Sequence, residues 1–185
     1  MRNAIHIAET VDKLVKKYGT RDPYELCQYL GIKIHLINLE KKLKGFFFYQ
    51  SRQKNIVIDS NVNAVLERIL IAHELGHAIL HTQIAMMKGF QEMEVLNRNN
   101  SVEEDEANFF AAELLLEDET VLECLAEYSF FETAQQLYVP AALLDYKFSL
   151  LHKKGELVNP MYFKKSNFLK EDLGAYDAGI DFECE

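Results

Sequence analysis

The sequence predicts an α+β fold: a helical domain with a small, mainly antiparallel three-stranded sheet packed beside one central helix. Three observations predict it. Over most of the chain apolar residues recur at intervals of three and four, the period of an amphipathic helix. Between residues 32 and 59 three short segments instead alternate or cluster β-branched and aromatic residues, the signature of strands. No internal repeat, low-complexity tract or Pro/Gly-rich linker divides the 185 residues, so residues 1–185 read as a single domain. A chain of this length buries roughly 70% of its unfolded surface and can form a core without disulfide staples.

Ile5, Ala8, Val11, Leu14 and Val15 keep helical spacing, and Gly19 closes that first helix. Asp22-Pro23 opens a short second one, with Asp as the cap, Pro at the first helical position and Gly31 just past the end. Ile32 to Leu36 alternates as a strand. Gly45-Phe-Phe-Phe-Tyr49 and Asn55-Ile-Val-Ile-Asp59 are two more, joined by the polar turn Gln50–Lys54. From Val62 to about His81 the period is helical again, and Val62, Leu66, Ile69, His73, Gly76, His77 and Leu80 fall on one side. Gln83 to Asn100 reads as a long loop, of a length that is often functional in compact domains. Ser101 starts a helix that runs through Leu116. Val121–Tyr128, Glu132–Tyr138 and Pro140–Lys153 follow as helices. Glu132 to Leu144 has the look of a helix-turn-helix pair, but it carries no basic residue, so it reads as a packing or partner-docking surface.

Composition excludes several classes of function. The net charge is −9, which repels phosphate backbones and excludes direct nucleic-acid binding by the chain as a whole. The clusters Lys13/Lys16/Lys17 and Lys41/Lys42/Lys44 are local, solvated faces. Cys27, Cys124 and Cys184 are too few and too scattered for a disulfide framework or a thiolate metal site. No apolar run approaches the roughly 18 residues that span a bilayer. The polar N-terminus lacks a signal-peptide core, so the expected compartment is the cytoplasm, with no membrane partner.

The chemistry lies in His73-Glu74-Leu75-Gly76-His77, an H-E-x-x-H sequence. Two histidines four residues apart stand one turn apart on the same helical face, where both imidazoles can reach one zinc ion. Glu74 leaves on the flank, placed to take a proton from water. Gly76 leaves room for a neighbour to approach the helix closely. A catalytic zinc needs a third protein ligand. The metzincin extension is absent, because Leu80 and Gln83 stand where Gly and His would be. Three successive turns of one helix spread side chains over about 12 Å, too far for one ion, so His81 reads as an outer-sphere, substrate-side or helix-capping residue.

The third ligand is expected in Ser101-Val-Glu-Glu-Asp-Glu-Ala-Asn-Phe-Phe-Ala-Ala-Glu-Leu-Leu-Leu116. Ala107, Ala111 and Ala112 make this helix slim, so it can approach the histidine helix and offer a carboxylate. Glu104 and Asn108 share a face, and Asn108 could orient a ligand imidazole. Ser101 and Glu104 also match a capping box, and Glu103, Asp105 and Glu106 are acidic too, so spacing alone leaves the choice among them open.

The segments Ala72-His-Glu-Leu-Gly-His-Ala-Ile-Leu-His81 and Glu104-Asp-Glu-Ala-Asn-Phe-Phe-Ala-Ala-Glu-Leu-Leu115 together resemble the ImmA/IrrE family of metallopeptidases. The resemblance covers a core of about residues 30–150, with a C-terminal helical extension over about 126–185. It implies a gluzincin-like helix pair in which His73, His77 and Glu104 hold Zn2+ and Glu74 is the general base. One departure concerns the end of the second segment. The family often has proline after the Leu-Leu pair, whereas Leu116-Glu117-Asp118 follows here, a change that bears on how the helix ends.

The resemblance further implies a protein substrate, a DNA-binding helix-turn-helix repressor of a mobile element or stress response. The acidic charge suits a partner with a basic surface. The implied reaction is zinc-assisted amide hydrolysis, with Tyr128, Tyr138, Tyr146, His81 and His152 as candidate oxyanion donors. Phe46–Tyr49 is a candidate edge for an extended substrate, although aromatics there equally suit the core. The alternative function is a non-proteolytic metal-binding module that docks to a transcription factor. It needs the same ligands but not Glu74.

Overall fold

The computed structural model describes residues 4–39, 43–84 and 102–156. Cys184, Ser101, most of the segment 83–100 and most of the C-terminal thirty residues lie outside that set. Helix α1 (Ala4–Tyr18) buries Ala4, Ile7, Ala8 and Val11, one face at helical spacing, and ends at Gly19 with φ +72°. Helix α2 (Pro23–Tyr29) starts where the Asp22 carboxylate accepts the Tyr24 and Glu25 N–H groups and Pro23 needs no partner. Three strands follow: β1 (Lys33–Ile37), β2 (Gly45–Gln50) and β3 (Gln53–Asp59).

Among the described residues these form one sheet in the order β1-β3-β2. The sheet is mixed, not strictly antiparallel. β2 pairs antiparallel with β3, from Gly45 opposite Ile58 to Gln50 opposite Gln53. β1 pairs in parallel with β3, from Lys33 opposite Asn55 to Ile37 opposite Asp59. The physical reason is which strand takes the centre. Asn55 to Asp59 of β3 are all buried, so this strand needs cover on both sides. The turn at Ser51 and Arg52, both at positive φ, folds β2 tightly onto one edge of β3. β1 then pairs with the remaining edge and never meets the strand next to it in sequence.

Helix α3 (Ala64–Leu80) is capped by the Asn63 side chain, which accepts the Leu66 N–H at 2.8 Å. Every residue from Ile69 to Ala78 is buried, so α3 is the central helix, enclosed on all sides and not amphipathic. It packs on β2, β3 and α2 and, most extensively, on α4 (Val102–Leu115). Gly76 explains that closeness. A Cβ at Gly76 would lie 3.1 Å from Phe110 Cβ, 3.2 Å from Ala107 Cα and 3.3 Å from Ala107 O. Two of these neighbours are backbone and cannot turn aside. Gly76→Val should therefore push α3 and α4 apart and cost about 1–3 kcal/mol. Urea unfolding measures that loss, and an unchanged midpoint would remove the close-approach argument.

The chain continues through α5 (Asp118–Glu127), α6 (Phe130–Gln136) and α7 (Ala141–Lys154). Helix α4 ends without a proline. Glu117 takes an extended conformation (φ −76°, ψ 140°) and starts α5 directly. Ser129 and Glu132 form a capping box for α6, and Gly155 at φ +94° ends α7. The α6–α7 pair buries Thr133, Ala134, Leu143 and Leu144, while Phe131 and Tyr138 stay exposed. No disulfide joins the described cysteines. Cys27 is buried, which pushes its thiol up to about 12.

α4, α5 and α7 are pinned together by charge. Lys147 is 0% exposed, and its Nζ lies 2.6 Å from Glu113 Oε2 and against the Asp118 carboxylate. Lys154 Nζ reaches Glu113 Oε1 at 2.7 Å and Asp118 Oδ2 at 2.6 Å. Lys147→Met would strand the Glu113 carboxylate with Lys154 as its one remaining ammonium. A loss of about 3 kcal/mol is expected, the lower end for breaking a buried pair, read as a drop in the thermal midpoint. Burial works to raise the Asp118 carboxyl, but its bonds to Lys147 and Lys154 outweigh that and hold it below the usual range. A carboxyl depressed in the folded state stabilises above its unfolded value of about 4 and loses that stabilisation as pH falls. Stability should decline below about pH 4, and a Lys154→Met variant should lose part of that dependence.

Candidate active site

The two histidines of H-E-x-x-H face α4. His73 is fully buried and His77 nearly so. One turn of α3 separates them, which brings their Nε2 atoms to 3.1 Å. Glu104 lies in the first turn of α4, where the slim face of Ala107, Ala111 and Ala112 lets that helix close on α3. Its carboxylate spans the pair, with Oε2 at 3.3 Å from His73 Nε2 and Oε1 at 3.3 Å from His77 Nε2. All three donors lie within 4.8 Å of one another.

These spacings fit a metal. Ligands held at about 2.0–2.1 Å around a tetrahedral zinc stand roughly 3.3–3.4 Å apart, and the three observed separations are close to that edge. Burial works to raise the Glu104 carboxyl, but its place against His73 and His77 outweighs that and holds the group well below the usual range. An ionised carboxylate facing two imidazoles is the donor set that a borderline-soft divalent cation prefers.

Each imidazole is oriented from behind. His73 Nδ1 lies 2.9 Å from Asn108 Oδ1, Asn108 Nδ2 donates to Tyr146 Oη at 3.2 Å, and Tyr146 donates to Asp105 Oδ1 at 2.9 Å. The direction of this chain is fixed at its end. Asp105 can only accept, so Tyr146 donates to it and accepts from the amide, which turns Oδ1 to His73. His73 therefore carries its proton on Nδ1 and presents Nε2 to the centre. Burial, helped by donation to Asp105, pushes the Tyr146 hydroxyl up against the opposing bond from Asn108, so it stays a neutral donor.

Glu74, 1% exposed, leaves α3 on the side of the sheet. Its Oε1 would lie 3.6 Å from a Cβ built on Gly45, the first residue of β2. The carboxylate thus lies beside the start of the sheet's β2 edge.

A family model described as "IrrE N-terminal-like domain", a peptidase family, matches residues 27–149, more than half of the chain. The chain belongs to this family. It is 39% identical over 142 residues to the "Uncharacterized immunity region protein 2" of Bacillus phage phi105, covering 76% of this chain and 88% of that protein. It is also 31% identical over 159 residues to "Metallopeptidase ImmA" of Bacillus subtilis (strain 168), covering 84% of this chain and 90% of the relative. The protein is a metallopeptidase with a metal cofactor.

Within this family member, the acidic run after Ser101 divides its work. Glu104 turns to the histidines, Asp105 to Tyr146 and Glu106 to His81. Asn108 lies behind His73, as its place one turn beyond Glu104 suggested. Among the expected oxyanion donors, Tyr146 is committed to Asn108 and Asp105, while Tyr128, Tyr138 and His152 are exposed. The tie between His81 and Glu106 was not foreseen. The signal available for it is the three-histidine ladder at 73, 77 and 81, which extends one turn past the pair. No helix among the described residues is long and apolar enough to cross a membrane.

Proposed function

We propose that this metallopeptidase is a zinc-dependent endopeptidase that cuts a DNA-binding repressor of the helix-turn-helix class. The observation that carries the proposal is the triangle of His73, His77 and Glu104 at 3.1–3.3 Å, with Glu74 adjacent to the first histidine. His73, His77 and Glu104 would hold the zinc, which when bound supplies Lewis acidity that acidifies water and polarises a carbonyl.

The remaining steps belong to the chain. Glu74 takes the proton of the attacking water and delivers it to the leaving amine, a role suited to a carboxylate beside the first ligand. Burial of the site excludes bulk water and strengthens the field that Glu74 and Glu104 exert on the reacting atoms. β2 is an edge strand of the sheet, and Gly45 opens its end nearest Glu74. An extended substrate segment pairing along β2 would bring its backbone to the site. Phe47 is buried in the core, so the partly exposed Phe46, Phe48 and Tyr49 supply the side-chain contacts.

The phage relative's "immunity region" name and the negative charge of the chain support a basic, repressor-type substrate. The test is incubation of the zinc-loaded protein with a candidate helix-turn-helix repressor, followed by intact mass measurement. Two fragments summing to the repressor plus one water are expected, lost with a chelator and restored by zinc. An uncut repressor in the presence of fully loaded protein would rule out this substrate.

A further inference from the structure

His81 stands at the C-cap of α3, where φ −122° and ψ 15° leave the helical range while its N–H still bonds to His77 O at 2.9 Å. That change of direction brings its ring against His77 in place of the metal-facing side. His81 Nδ1 lies 3.0 Å from His77 Nδ1, and His81 Nε2 lies 3.1 Å from Glu106 Oε2. Both His81 and Glu106 are buried, at 6% and 4% exposure, so neither contact is a mobile surface pair.

We propose that His81, anchored by Glu106, is a positioning residue that fixes the ring and tautomer of His77. The inference rests on His73, His77 and Glu104 being the metal-holding set. His77 must then offer the Nε2 lone pair, so its proton is on Nδ1. That proton can only be donated to His81 Nδ1, which leaves the His81 proton on Nε2, facing the Glu106 carboxylate. Every ring nitrogen in the row has one role, and the row ends on a carboxylate that can only accept. Such a carboxylate–imidazole chain raises the basicity of the ligand imidazole and holds it in the binding orientation. α4 therefore supplies Glu104 to the centre and, two residues on, Glu106 to the outer support of the opposite ligand.

The experiment measures zinc affinity by competition with a chromophoric chelator for wild type, His81→Leu, His81→Gln, Glu106→Gln and His77→Ala. The visible spectrum of the cobalt-substituted forms is recorded alongside. His81→Leu should bind zinc about 10–100-fold more weakly and change the cobalt spectrum. His81→Gln should recover most of the loss, because an amide can accept from His77 and donate to Glu106. Glu106→Gln, which keeps the shape and removes the charge, should lose a smaller factor and stands in should His81→Leu not fold. Wild-type affinity in both His81→Leu and Glu106→Gln would overturn the proposal. So would equal weakening in His81→Leu and His81→Gln, since the acceptor would then not be what matters. Zinc retained by His77→Ala would instead overturn the underlying ligand set.

Discussion

Replacing Glu74 by glutamine should lower the rate of peptide hydrolysis by about 100- to 10,000-fold, the usual contribution of a positioned general base. Zinc content should stay at that of the wild type. The substitution keeps the side chain's shape in a site that is 1% exposed and leaves His73, His77 and Glu104 unaltered. The loss should fall on kcat, because a group that acts in proton transfer stabilises the transition state and not the bound substrate. Gly45 makes the swap sterically mild, since nothing larger than hydrogen projects from that position toward the carboxylate. The same variant separates cutting from docking. A Glu74→Gln protein that holds zinc, fails to cut and still relieves repression in cells would show that docking carries the biological effect. Loss of relief together with loss of cutting would tie the effect to hydrolysis.

The sequence made the His73/His77 pair legible because helical geometry alone places residues 73 and 77 together. It also made α4's slimness legible, since Ala107, Ala111 and Ala112 can be read without any knowledge of what they pack on. Glu104 was less legible. An acidic run at a helix start is favoured by the helix dipole whatever else it does, so four carboxylates competed until the family resemblance weighed in. Each of Glu104, Asp105 and Glu106 has a different histidine-side or tyrosine-side partner, which only the packing angle of α4 against α3 decides. The strand order was not legible for a related reason. Strand identity follows from local pattern, but the choice of neighbour depends on which strand is buried on both sides, and β3 won that place through Ile56, Val57 and Ile58. The spacing of Val62, Leu66, Ile69, His73, Gly76, His77 and Leu80 marks one buried side of α3, but nothing in it shows that Glu74 on the flank is buried as well.

Removing the Glu104 carboxylate should have an effect of comparable size on metal binding. In Glu104→Ala two imidazoles remain, 3.1 Å apart, without the carboxylate that spans them. The loss in zinc affinity should exceed the 10–100-fold typical of an outer partner. Thermal unfolding with and without zinc gives a second reading. Zinc at about a hundred times its dissociation constant stabilises a folded protein by about 2.7 kcal/mol, which for a chain of this size raises the midpoint by roughly 5–11 °C. Wild type should show that rise and Glu104→Ala should not. Without metal the two proteins can start from different midpoints, because Glu104 also faces His73 and His77 at 3.3 Å, so the comparison is of the rise that zinc produces in each and not of the midpoints themselves. Glu104→Asp draws the carboxylate back by one methylene, so its zinc affinity should fall between the two. A Glu104→Ala protein with one zinc per chain and an undiminished thermal shift would mean that the third donor comes from elsewhere. Glu106, two residues along the same helix and already 3.1 Å from His81 Nε2, would be the next carboxylate to test.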